Sequence, residues 1–413
     1  MAETLPRLRR ELDIMPSPLE EQPGVLIRDP FQYSDAIIIV PPVLAQGLML
    51  FDGQHTDLDL QALLTQATGD LSAGQASRDL TEALSQSGFL DSEKFHEMRD
   101  RKQRQFAEAP QRDPAHAGSA YPSQAAALSE KLSSYGSDPD AGPDAAAAGQ
   151  DSLVAIAAPH VSPEGGYTSY AAAYRRLNPG YADHTFVVLG TSHYGEPEKF
   201  GLTRKPYVTP FGPVETDTAM VDRLAREAPG AVVMEDYCHR AEHSIEFQCV
   251  FLQHVLGRPN VRVVPILCGP FAESLFSGKA PENNEHVRRF FDALTEIDQA
   301  HRGRLIWVLG IDLAHIGRRY GDRHAAKAGQ GRMQEVRARD QARLERVCDS
   351  DAAGFFDLVH PNYDDLRWCG YSPVYTFLHS IKNVRGKVLH YEQWNIDQQS
   401  VVSFTGMEFT ERG

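Results

Sequence analysis

Four apolar runs dominate the chain from Ser152 onward: "LVAIAAPH", "TFVVLGTSH", "VRVVPILCG" and "RLIWVLGIDLAH". Each is short, rich in β-branched residues and closed by small turn residues. Runs of this kind, without polar alternation, predict strands of a sheet covered on both faces. Between them lie segments with helical spacing, "TDTAMVDRLAREA", "SIEFQCVFLQHVL" and "NNEHVRRFFDALTEI". Strands alternating with helices predict an α/β fold, a layered and largely parallel sheet with flanking helices.

The pattern is different before residue 105. A short extended piece, Gly24–Arg28, is followed by an apolar stretch up to Pro41 and Pro42. Thr56 is placed to cap an amphipathic helix, and "ASRDLTEALSQSGFL" is a second helix closed by a glycine. Residues 1–105 are therefore expected to form a small α+β, winged-helix-like module ahead of a main domain over 106–413. The charged stretch after Leu90 continues as helix and then connects the two. The tract "GSDPDAGPDAAAAGQ", residues 136–150, has the composition of a flexible linker or loop insertion.

Composition narrows the function classes. At 413 residues the chain exceeds one typical core. A formal net charge of −15 and the lack of a basic recognition helix exclude a nucleic-acid-binding surface. The first module is accordingly read as binding a peptide or protein. The most apolar stretch, Ala36–Phe51, is broken by two prolines and is too short to span a bilayer, so no membrane partner is expected. The start lacks the apolar core of a signal peptide, and the five cysteines form no CxxC, which points to a cytoplasmic protein without a disulfide framework.

The chemistry gathers at the strand ends. Three of the four runs end in a histidine, His160, His193 and His315, and ligands of open α/β sheets collect beyond the carboxyl ends of strands. Cys268 lies near the same edge, where a buried structural role suits it best. "EHSIEF" adds Glu242, His243 and Glu246 at a helix start, with Ser244 as a possible cap, and "RWCGYSP" presents Cys369 in a turn. If the chain turns helical at "DLAH", Asp312 and His315 project on one side, and the carboxylate orients the imidazole. Imidazoles and a thiolate suit iron, copper or zinc. A cysteine nucleophile with a histidine base is the competing reading, and it leaves two histidines unexplained.

The motifs "AHAGSAYPS", "APH…GGYTSY", "LGTSHYG", "AEHSIEFQ", "VVPILCG", "DLAHIG" and "CGYSPVYTFL" occur in an order that resembles the Memo family, called AmmeMemoRadiSam system protein B in bacteria. The resemblance runs from about residue 113 to the C-terminus. It implies a fold like the catalytic subunit of class III extradiol dioxygenases, with metal ligands at His160, His193 and Cys369. It implies polar groups at His243, Asp312 and His315, the last matching the acid/base histidine of those enzymes. The resemblance further implies a radical SAM protein and an AMMECR family protein as partners. "APHVSPEGGY" departs from the usual "APHAGY", altering the loop beside the first ligand. The amino-terminal module lies outside this resemblance and is loosely similar to PqqD-like peptide-binding modules.

The resulting expectation is a metal-dependent redox or oxygen-using enzyme holding iron(II) or copper, with zinc less favoured. Its catalytic groups are His315, Asp312 and His243. Ring cleavage is not expected, because a thiolate replaces the carboxylate of the dioxygenase triad. A metal-binding or peptide-recognition adaptor, and a hydrolase using Cys369 with His315, are the alternatives.

Overall fold

The computed structural model describes residues 2–17, 19, 21–69, 73–136, 153–257 and 260–412. Of the 136–150 tract only Gly136 falls among them, and it ends the helix Ala125–Gly136; the rest of that expected linker lies outside the described residues. The chain divides into two compact units, Met1–Glu108 and Ala109–Gly413.

In the first unit the strands Asp13–Pro16, Val25–Arg28 and Ile37–Val40 form an antiparallel three-stranded sheet. Helices Asp57–Thr68, Ala73–Gln86 and Glu93–Glu108 follow. Thr56 caps the first of these: its hydroxyl accepts the Asp59 N–H, and the Asp59 carboxylate accepts the Thr56 N–H. Ile27, Leu60, Leu64, Leu84 and Phe89 have no exposed surface and form the centre of the small core. Arg9 would be a costly buried cation there. Asp29 pairs with it at 3.0 Å, and the Phe95 ring lies 3.8 Å from its guanidinium carbon.

The second unit is a mixed α/β structure around an eleven-stranded sheet among the described residues. Its centre is four parallel strands, in the order Leu153–Ala158, Leu305–Gly310, Thr185–Thr191 and Arg262–Cys268. The alternation of side chains divides them between two cores. Val187, Leu189, Ile266, Trp307 and Leu309 pack with helices Glu285–Ala300, Arg332–Cys348 and Tyr371–Ser380. Phe186, Val188, Leu267, Ile306 and Val308 pack with helices Pro163–Tyr174 and His243–Leu256. Burial on both faces explains why these strands read as continuous apolar runs. Gly310 pairs with both Ala158 and Gly190, and Cys268 with Thr191, so the four carboxyl ends finish level.

One element departs from the sequence reading. "RLIWVLGIDLAH" is two strands, not one. Leu305–Gly310 ends the parallel set, and Asp312–Gly317 runs antiparallel to the long strand Ser400–Glu411. His315 therefore sits inside a second strand and not at the end of a parallel one. No helical turn carries Asp312 and His315; the backbone is extended, with a register shift between them. The cause is the ladder offered by Ser400–Glu411, together with Ser403, whose hydroxyl accepts the Ala314 N–H at 2.9 Å. No helix among the described residues is long and apolar enough to cross a membrane.

Leu189 has no exposed surface and lies mid-sheet. Leu189→Ala should lower the stability of this unit by about 2–5 kcal/mol, through lost burial plus the cavity left behind. Chemical denaturation checks this, with a loss below about 1 kcal/mol counting against so tight a core.

Candidate metal centre

The level strand ends bring distant loops together. His160 follows Leu153–Ala158 by two residues and is 1 % exposed. Its Nδ1–H donates to the Gly310 carbonyl at 2.9 Å, which leaves Nε2 as the atom with a free lone pair. Asp312 fixes the same loop from the next strand: its Oδ1 accepts the N–H groups of His160 at 3.0 Å and Val161 at 3.2 Å. Its Oδ2 stands 3.5 Å from His160 Nε2. Burial, reinforced by the neighbouring His193 and His243, pushes the His160 imidazolium well below its ordinary range. Burial likewise raises the Asp312 carboxyl.

His193 follows Thr185–Thr191 by two residues. Its N–H reaches Glu242 at 3.1 Å, and its Nδ1 lies 3.0 Å from the same carboxylate, again leaving Nε2 open. Glu242 is the N-cap of His243–Leu256, where it also accepts the N–H groups of His243 at 2.8 Å and Ser244 at 3.1 Å. Ser244 is thus not the cap; its hydroxyl donates to the Thr191 carbonyl at 2.8 Å. Burial opposes charge on both partners, yet their attraction overrides it. The Glu242 carboxyl is held well below its usual range, and His193 above its own.

Two glycines let that helix start sit over the sheet edge. A Cβ on Gly310 would stand 2.2 Å from the Ser244 carbonyl oxygen, and one on Gly190 would stand 2.5 Å from the Ser244 hydroxyl. Only the bare backbone leaves room. His243, the first helical residue, consequently stacks on His193 with centroids 5.0 Å apart and meets His160 edge-on at 5.2 Å.

Cys369 precedes the helix Tyr371–Ser380. Its Sγ lies 3.1 Å from His160 Nε2 and 3.7 Å from the Asp312 carbonyl oxygen. Burial, and then the Asp312 carboxylate, raise this thiol well above its ordinary value. His315 stands apart from this contact. Its Nδ1 faces the carbonyls of Leu313 at 2.9 Å and Arg367 at 3.1 Å, and its ring meets Tyr320 edge-on at 4.9 Å. Burial lowers its pKa to about 4. Cys268 is buried in the core on one side of the sheet.

Ligand-type atoms of His160, His193 and His243 lie within 4.8 Å of one another, as do those of His160, Asp312 and Cys369. His160 is common to both groups, so the three ligands expected from the resemblance are divided between two groups that meet on it. Glu242 was visible in "EHSIEF" but carried no role there. An acidic residue directly before a helix start is a cap signal, and that signal identifies it.

Fold and donors together define an α/β protein with a candidate metal-ligating group at the carboxyl edge of its sheet. Residues 112–408 match the family described as Memo-like protein, and the chain belongs to that family. It is 25 % identical over 399 residues to a MEMO1 family protein of Aquifex aeolicus, covering 93 % of this chain and 95 % of the relative. That span takes in much of the first unit, which the family match leaves out. A MEMO1 family protein of Thermus thermophilus is 28 % identical over 317 residues, covering 75 % of this chain and 85 % of the relative. An uncharacterized protein of Escherichia coli K12, solved as a crystal structure, aligns at a TM-score of 0.37 and 11 % identity, over 62 % of this chain and 99 % of its own.

Gly310→Ala should cost about 1–3 kcal/mol by forcing the helix start away from the sheet. Thermal and denaturant unfolding measure this, and a variant as stable as the parent would mean that the close approach at Ser244 is relaxed without cost.

Proposed function

We propose that this chain is a metal-dependent redox or oxygen-using enzyme whose ion is held by His160, His193 and Cys369. The observation that carries the reading is the state of the two imidazoles. Each has its Nδ1 engaged by an oxygen, Gly310 O for His160 and Glu242 for His193, as ligating histidines commonly do. Cys369 Sγ, 3.1 Å from His160 Nε2, supplies the soft third donor. Two imidazoles and a thiolate suit copper, iron(II) or zinc. Iron(II) or copper bound there would supply one-electron redox chemistry and open positions for a small substrate or dioxygen.

His315 is the proton-handling group in this reading. Carbonyls hold its Nδ1, and burial keeps the ring neutral at pH 7, so Nε2 is the atom that takes and returns a proton. Asp312 and Glu242 set the orientation of the two ligand loops, and the His243 ring stacks on that of His193. The layered sheet is read as related to the catalytic subunits of class III extradiol dioxygenases. The first unit is read as a winged-helix-like peptide-binding module. A radical SAM protein and an AMMECR family protein are the proposed partners, to be sought by co-purification. A cytoplasmic location goes with this reading.

A second reading takes the three imidazoles of His160, His193 and His243, whose ligand atoms lie within 4.8 Å of one another. Metal content after anaerobic purification separates the two. Cys369→Ala, His160→Ala and His193→Ala should each lose most of the bound iron or copper while keeping the parent circular dichroism, and His243→Ala should keep the metal. Full occupancy in Cys369→Ala together with loss in His243→Ala would transfer the site to the three histidines.

His315→Ala should retain metal at the parent stoichiometry, because His315 is assigned to proton transfer and not to ligation. Metal loss in that variant would make it a ligand and refute the assignment.

A further inference from the structure

The motif "AHAGSAYPS" and the residues just before it form a polar strap against the start of the His243–Leu256 helix, with Arg112 and Tyr121 buried in it. Arg112 is 1 % exposed. Its Nε donates to the His239 carbonyl at 2.8 Å and its Nη2 to the Glu242 carbonyl at 2.9 Å, while Nη1 pairs with the Glu246 carboxylate. The Tyr207 ring lies 4.8 Å from the guanidinium carbon. Glu246 in turn accepts the N–H groups of Ala115 at 3.1 Å and His116 at 3.0 Å, and the Tyr121 hydroxyl. His116 Nε2 donates to the Ala241 carbonyl at 2.8 Å. The backbone from His239 to Glu242 is thus held at three carbonyls by side chains more than 120 residues away in sequence.

We propose that Arg112 is a positioning residue for the metal centre. It fixes the main chain of Glu242, and so sets the carboxylate that orients His193. This rests on the metal reading of the site. The physical reason lies in the guanidinium: a planar fork with several donors reaches two carbonyls and a carboxylate at once, which an ammonium does not do in one geometry. If the fork is lost, the Glu242 backbone is free to turn, and the His193 ring loses its fixed angle while every ligand remains present.

A merely structural arginine would lower stability without acting through Glu242, so the test is a cycle. Cobalt(II) is titrated into the full chain and into Arg112→Lys, Glu242→Gln and the double variant. Affinity is read by chelator competition and the ligand field from the visible spectrum. Arg112→Lys keeps a charge opposite Glu246. It should bind cobalt(II) about tenfold more weakly, as expected of an outer-shell change, with an altered spectrum. The loss should vanish in the Glu242→Gln background. Parent affinity in Arg112→Lys, or an equal loss in both backgrounds, overturns the proposal. Should Arg112→Lys not fold, Arg112→Gln with Glu246→Gln removes both charges and is read in the same cycle. Failure of the parent chain to bind cobalt(II) overturns the metal reading itself, an outcome distinct from parent binding that Arg112→Lys leaves unchanged.

Discussion

A carboxylate taken out of water must find hydrogen-bond donors or cations, and this site is built around two that have done so. Asp312 is 2 % exposed and Glu242 3 %. Each takes backbone N–H groups from the very loop that carries an imidazole: Asp312 from His160 and Val161, Glu242 from His193. Satisfying the carboxylate and aiming the histidine are therefore one event. Neither loop can drift without exposing a buried charge to an apolar interior. That coupling ties each short loop to the element that supplies its carboxylate.

The carboxylates work only because the sheet brings them close. Gly310 and Gly190 are paired across neighbouring strands, and both lack the side chain that would hold the His243–Leu256 helix away. The helix start settles on that bare patch and carries Glu242 to His193 and His243 to both other rings. A close approach of backbone to backbone, more than any apolar contact, positions the polar groups here. The cores on the two faces of the sheet fix the strand level, the glycines fix the height of the helix above it, and the carboxylates fix the rings.

The sequence made parts of this readable and others not. The parallel strands were plain because burial on both faces removes polar alternation, and the histidines of "AAPH" and "LGTSH" followed from where such strands end. "LGIDLAH" misled because its apolar run continues across two strands. Ile311 joins them, and the partner that draws Asp312–Gly317 out of the parallel set, Ser400–Glu411, lies some 90 residues away. Periodicity carries no record of such a partner. Arg112 was hidden for the same reason, and Glu242 in part, since its cap on the helix start is local. The contact of Glu242 with His193 spans 49 residues, and that of Arg112 with the Glu242 carbonyl spans 130. Thr56 stood at the other extreme: its whole capping box lies within four residues, and local pattern sufficed.

The electrostatic setting of Cys369 bears on which chemistry these residues favour. A nucleophilic cysteine needs surroundings that lower its pKa: a lysine, an arginine, an imidazolium or a helix N-terminus. Cys369 is instead buried with Asp312 and Glu242 as charged neighbours, and both raise its pKa further. Its nearest base, His160, is itself pushed toward the neutral form, so no imidazolium stands beside the sulfur. These surroundings disfavour the thiolate that a nucleophile needs. In the metal reading the same acidic surroundings suit a cation: a thiol that ionises when a metal takes its proton's place lies beside Asp312, and Glu242 stands behind His193, with which it pairs. In the metal reading, the surroundings that keep Cys369 from acting as a nucleophile are the ones that suit it to ligation.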